Sequence, residues 1–108
     1  MPLQRLVDIT SANAAKIMGY YPRKGAIAPG SDADIVLIDP SIKKTLAPED
    51  FHITDYSIWD GFEIEGWPST TILRGSVVVE NGQLNATLGG GQFLRRKVDA
   101  EVTNRPVC

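Results

Sequence analysis

The sequence predicts a mixed α and β chain, with N-terminal helices, then a few mostly antiparallel strands, then an extended tail. Three observations carry this. Apolar residues recur at three- and four-residue intervals from Leu3 to Tyr21, the spacing of one helix face. From Ile35 onward, β-branched and apolar runs alternate with Pro-Gly, Arg-Gly-Ser and Asn-Gly pieces, as strands joined by tight turns do. After Leu84 neither period continues.

Taken in order, Leu3, Leu6 and Val7 form a first apolar group, and Ala14, Ile17, Met18 and Tyr21 a second. Thr10 and Ser11 lie between them and are good N-cap residues, so the spacing predicts a short first helix and a second over about 12–18. Gly19 supplies the stop, and Pro22 prevents continuation. The plain role of this face is packing. The rest of the chain is organised around the stretch from Gly25 to Pro40: Pro29-Gly30 makes a turn, and Ile35–Ile38 is an unbroken apolar run between Asp34 and Asp39-Pro40. Such a run suits a strand covered on both faces.

Residues 41–46 read as a short paired strand with Lys43 and Lys44 as solvated edge charges. Pro48-Glu49-Asp50 reads as a turn or helix start. From there to Pro68 the sequence reads as an irregular loop carrying Phe51, Tyr56, Trp59, Phe62 and Trp67, rings that lose favourable burial if left in water. Residues 70–73 and 77–80 read as two strands of a hairpin around Arg74-Gly75-Ser76, closed by Asn81-Gly82. Gly89-Gly90-Gly91 and Arg95-Arg96-Lys97 then open a solvated tail that orders only by docking on a neighbour. The three divisions expected are 1–22, helical; 23–84, strands with an aromatic loop; and 85–108, a flexible tail.

Composition excludes several function classes. A chain of 108 residues with 43% hydrophobic residues suffices for one small domain, which buries only roughly 60–68% of its unfolded surface. A net charge of −2 with mixed signs gives no electrostatic case for nucleic acid or an anionic membrane. No run reaches the roughly 18–20 apolar residues of a membrane span, and no signal peptide is expected at the N-terminus. The single cysteine, Cys108, fits a reducing compartment, so the expected location is cytoplasmic.

Candidates for chemistry are few. His52 is the only histidine, so no histidine pair can hold a metal or serve a nucleophile. Asp32 and Asp34 form an Asp-x-Asp pair, joined by Asp39, Asp55 and Asp60, yet aspartates at turns and strand ends commonly satisfy backbone donors. The triple glycine lacks the Lys-Ser or Lys-Thr pair and following helix of a phosphate loop. Cys108 has nothing nearby in sequence to lower its pKa.

Together the motifs carry a resemblance. Ser-Ala-Asn-Ala-Ala-Lys-Ile-Met-Gly from Ser11, Tyr-Pro-Arg-Lys-Gly from Tyr21, Gly-Ser-Asp-Ala-Asp-Ile-Val-Leu-Ile-Asp-Pro from Gly30, Tyr-Ser-Ile-Trp-Asp-Gly from Tyr56, Ile-Leu-Arg-Gly-Ser-Val-Val-Val-Glu-Asn-Gly from Ile72 and Gly-Gln-Phe-Leu-Arg-Arg-Lys from Gly91 resemble the C-terminal end of the hydantoinase and dihydropyrimidinase enzymes. These are cyclic amidases of the amidohydrolase superfamily. The likeness runs from Leu3 to about Lys97.

The resemblance implies a helical segment that packs on a (β/α)8 barrel, the C-terminal part of a β-sandwich, and a tail that contacts neighbouring subunits. It also implies a parent enzyme that opens ring amides with two metal ions, commonly zinc. Their ligands, a His-x-His pair, a carbamylated lysine, two more histidines and an aspartate, fall on no position of this chain. No catalytic, cofactor-binding or metal-binding residue is therefore assigned. Tyr56, Trp59, Phe62, Trp67 and Phe93 are the candidate subunit contacts.

Two functional readings are open: an inactive structural region of a cyclic amidase, or an independent assembly module that pairs with itself or a full-length paralogue. A third, an autonomous enzyme built on Asp32, Asp34 and His52, would need tight metal binding. The expected partner is the remainder of the enzyme or a second copy, in a homodimer or larger oligomer whose copies cover each other's faces.

Overall fold

The structure, a computed structural model, describes residues 1–51, 55–86 and 89–104. These fall in two compact units, one of residues 1–34 with 87–108 and one of residues 35–86.

In the first unit α1 (Leu3–Val7) runs through a π-helical turn (Asp8–Ala12) into α2 (Asn13–Met18). The expected break with a Thr10 or Ser11 cap is therefore corrected. Ala12, preceding α2, keeps helical dihedrals with no side-chain cap, and the Thr10 hydroxyl donates backward to the Leu6 carbonyl at 2.8 Å. The wider turn keeps the backbone bonded, so no orphan amides call for a cap. Gly19 does end the helix, at φ 75°, with its own N–H and that of Tyr20 returning to the Lys16 and Ala15 carbonyls. A left-handed C-terminal stop of this kind favours glycine.

The expected packing face is also corrected. Ala14, Ile17, Met18 and Tyr21 are exposed, while Ala15 is buried. Gly25 explains the choice. It sits at φ 78°, and a Cβ there would lie 2.6 Å from the Ala15 Cβ and 2.8 Å from the Ser11 carbonyl oxygen. The chain after the helix thus comes back along the Ala15 side, at backbone distance. Residues 28–31 make a turn closed by Ser31 N–H on the Ala28 carbonyl, with Pro29 and then Gly30 at φ 90°, a type II arrangement. Lys97 donates its N–H to the Gly19 carbonyl at 2.9 Å, and α3 (Ala100–Asn104) comes after it. Lys97 thus docks on the unit's own helix end, where only a neighbour had been expected to order the tail.

The second unit is a four-stranded antiparallel meander in the order β1-β2-β3-β4. Its strands are β1 (Ile35–Thr45), β2 (Glu63–Leu73), β3 (Ser76–Glu80) and β4 (Gln83–Leu84). Ile35–Ile38 and the expected strand over 41–46 join into one. Pro40 is accommodated because the β1–β2 register slips between Asp39 and Lys43; an edge strand at a bulge needs no N–H there. Asp39 Oδ1 fills the gap by accepting from Ser41 N–H at 2.8 Å and Ser41 Oγ at 2.6 Å. The double-sided cover expected for Ile35–Ile38 is absent, since Val36, Leu37 and Ile38 are about half exposed.

Trp67 and Pro68 lie inside β2 rather than in an irregular loop. Alternate apolar and polar residues over 63–67 fit the pleat, and Gly66, at φ 89°, sits at the slip opposite residues 40–42. The β2–β3 turn is tighter than expected: Leu73 pairs with Ser76, leaving Arg74 and Gly75 at φ 49° and 82°. Positive φ at both positions is the type I′ requirement. Asn81 and Gly82 repeat it at 49° and 77°, and lead into β4, which the sequence pattern did not anticipate. Leu46 is buried, and its backbone ties the end of β1 to the aromatic loop through Phe62 O and Gly61 N–H, at 2.8 and 2.9 Å.

Candidate functional site

In the first unit the Asp-x-Asp pair faces cations. Lys24 Nζ lies between Asp32 Oδ2, at 2.9 Å, and Asp34 Oδ2, and Arg23 Nε meets Asp32 at 3.0 Å. Asp32 N–H also returns to the Arg23 carbonyl at 2.8 Å, and Ser31 Oγ donates to the Pro22 carbonyl. Hydrogen bonding to Asp34 raises the Lys24 pKa, opposed by burial and helped by Asp32. The bond from Lys24 lowers that of Asp32, with Arg23 adding to it. These carboxylates are spent on clamping the loop from Pro22 to Asp34.

In the second unit Lys44 occupies a comparable position. Its ammonium bonds Asp50 and stands 4.4 Å from the centre of the Trp67 ring, a cation–π geometry. Asp50 also accepts the Ala47 N–H at 3.0 Å, at the start of a 3₁₀ turn over Pro48–Phe51. Lys44 and then Ala47 hold the Asp50 pKa low. Lys44 is thus half-buried and paired, not a solvated edge charge; Lys43 is exposed and pairs with Glu65 at 2.6 Å. A shallow cleft of about 450 Å³ lies beside them, lined by Ile42, Glu49, Trp67, Ser69 and Asn81 among others. Lys44 and Asp50 answer one another there, and neither is poised as an acid, base or nucleophile.

The candidate subunit contacts divide. Tyr56 is 75% exposed. Trp59 and Phe62 are half exposed and meet edge-to-face, with centroids 5.6 Å apart. A turn positions this pair: Trp59 N–H bonds Ser57 Oγ and Phe62 N–H the Trp59 carbonyl, both at 3.1 Å. Phe93, in the other unit, is 90% exposed. Trp67 stands apart as a partly buried ring under Lys44. The Lys44–Asp50–Trp67 group escaped sequence reasoning, because a pair between strand and turn leaves no periodic signal.

His52 and Cys108 lie outside the described residues. Among the described residues no group of three or more His, Cys, Asp or Glu could hold a metal ion, and Asp32 and Asp34 already face Lys24. The residues of this chain do not fit the two metals that the resemblance implies for a full enzyme, so no step is routed through them. Among the described residues no helix is long and apolar enough to cross a membrane.

Paired strands, a glycine-stopped helix and a clamped Asp-x-Asp loop without a catalytic constellation define a supporting region of a larger architecture. Residues 1–78 match the model of the amidohydrolase family, and the chain belongs to that family. Among curated proteins it is similar to dihydropyrimidinase of Rattus norvegicus, 45% identical over 94% of this chain and 20% of the relative. It is also similar to D-phenylhydantoinase of Escherichia coli O1:K1 / APEC, 42% identical over 88% and 21%. Among solved structures it is similar to D-hydantoinase from Bacillus sp. AR9, with a TM-score of 0.85 and 44% identity over 91% of this chain and 22% of that one. Dihydropyrimidinase from Brevibacillus agri NCHU1002 gives 0.87 and 40% over 93% and 22%. The chain spans about a fifth of the length of these relatives.

Proposed function

We propose that this chain is the C-terminal region of a cytoplasmic, metal-dependent cyclic amide hydrolase of the hydantoinase and dihydropyrimidinase kind, and that its role there is structural. The observation that carries the reading is the pairing of high similarity with open apolar surface. Nearly the whole chain matches a fifth of each relative, yet only Ala15 and Leu46 form its buried apolar core. A region shaped to cover and be covered by the rest of an enzyme has this profile. Its partners are then the remaining four-fifths of the enzyme or another copy. Alone it opens no ring, because it offers no ligand set for the metals.

The test is ring opening of hydantoin and dihydrouracil by the purified chain with zinc added, alongside its metal content. The expected result is no turnover and no stoichiometric metal. Turnover that tracks bound metal would overturn the reading. A second reading, an assembly module, is favoured by the exposed Tyr56, Trp59 and Phe62 on one ordered turn. A pull-down of a full-length relative, abolished by Trp59→Ser, separates it from the first.

A further inference from the structure

We infer that the outer edge of β1 is a self-complementary dimerisation strand, through which two copies of this chain join their sheets antiparallel. This rests on the partner reading above, with a second copy as the occupant when no other part of the enzyme is present.

Surface area gives the first argument. The chain exposes 8783 Å². A compact monomer of 11.8 kDa exposes roughly 5,900 Å², and two separate bodies of half that mass roughly 7,100 Å² together. The excess of roughly 1,700 Å² over even the two-body figure exceeds the roughly 600–1,000 Å² that each partner contributes to a standard interface.

The sheet locates the contact. Its two edges are β1, 11 residues long, and β4, with 2. Val36, Leu37 and Ile38 are 52%, 49% and 56% exposed, and no lysine guards the edge before Lys43. The Leu37 carbonyl accepts from Ser69 Oγ of β2 at 3.3 Å, so it points into the sheet. By alternation, the outward backbone groups belong to Val36 and Ile38.

A two-fold axis perpendicular to the sheet pairs residues of like parity. Centred on Leu37, it sets Leu37 against Leu37 of the second copy, and Val36 against Ile38 twice, with outward N–H and C=O groups in register. Asp39 then lies across from Ile35 and Asp34 across from Pro40, so no carboxylates oppose one another. The sequence of this edge is its own complement.

Sedimentation equilibrium of the full chain at about 100 µM is expected to give twice 11.8 kDa, with dilution returning the monomer. Val36→Lys with Ile38→Lys should weaken association at least about tenfold while the strand signal in circular dichroism persists; Leu84→Lys, on the opposite edge, should not. Hydrogen exchange on the unsubstituted chain guards against a misfolded variant, since the Val36 and Ile38 amides should be protected only at high concentration. A monomer throughout, or a dimer that leaves those two amides unprotected, overturns the inference. Mass and exchange report it independently of ring-opening activity, so this proposal and the structural reading fail separately.

Discussion

Residues 1–34 with 87–108 and residues 35–86 hold themselves together by different means. In the first unit the helix, the returning loop and the tail meet at backbone distance, at Gly25 over Ala15 and at Gly19 beside Lys97, and charges lock the loop. In the second a hydrogen-bonded ladder holds the strands, with two glycine turns closing it and one tryptophan under a lysine. Neither has a large apolar core. Each relies on a few points where a small residue or an ion pair is indispensable, and those points can be broken singly.

The largest effect is expected at Gly25. In Gly25→Val the new Cβ must displace the Ala15 methyl or the Ser11 carbonyl, and φ 78° is strained for a β-branched residue. The first unit should lose about 2–3 kcal/mol in urea unfolding. Gly30→Ala, at φ 90° with nothing within 4 Å of its Cβ, should cost only about 1 kcal/mol. Equal losses would mean that backbone conformation, rather than close approach, sets the requirement.

In the second unit the matching cut is Trp67→Ala. It removes a partly buried ring and the face on which Lys44 rests, with an expected loss of about 1–2 kcal/mol. Trp59→Ala, half exposed on its turn, should stay within about 0.5 kcal/mol. If the two cost the same, Trp59 packs in this chain alone and is no contact residue. Gly75→Ala comes next: its φ of 82° is needed for the type I′ turn, and about 1 kcal/mol should be lost from the β2–β3 hairpin.

The sequence made visible what depends on neighbours in the chain. Gly19, Pro29-Gly30, Gly75 and Asn81-Gly82 all punctuate where local chemistry says they must, because positive φ is a local demand. It misled where distant residues decide. The apolar spacing from Ala14 to Tyr21 marks a real face, but Gly25 chooses the Ala15 side for this chain and leaves the other open. Pro40 looked like a strand end because the register slip opposite Gly66 is a property of two strands. Lys44 looked solvated because Asp50 and Trp67 reach it only after the sheet forms. The motif likeness was legible almost end to end, since it rests on short segments that survive without their surroundings.

The smallest expected effect is a pH dependence that sets the two ion-pair clusters against each other. Asp32 and Asp50 both have pKa values lowered from 3.8. Each therefore stabilises its unit above that value and loses the contribution as pH falls through the lower, folded pKa. Lys24 is raised from 10.5, so its contribution is complete below that value and is lost as pH rises through the folded pKa. Acid should weaken both units, whereas alkali should weaken the clamp at Lys24 and, through it, the first unit alone. Amide exchange in each unit across the two ranges checks this. In Lys24→Met the alkaline loss should vanish from the first unit, and added salt should soften every step, because these groups are within reach of solvent. A persisting alkaline loss in that variant would place the titrating group elsewhere and leave the loop held chiefly by the close approach of Gly25.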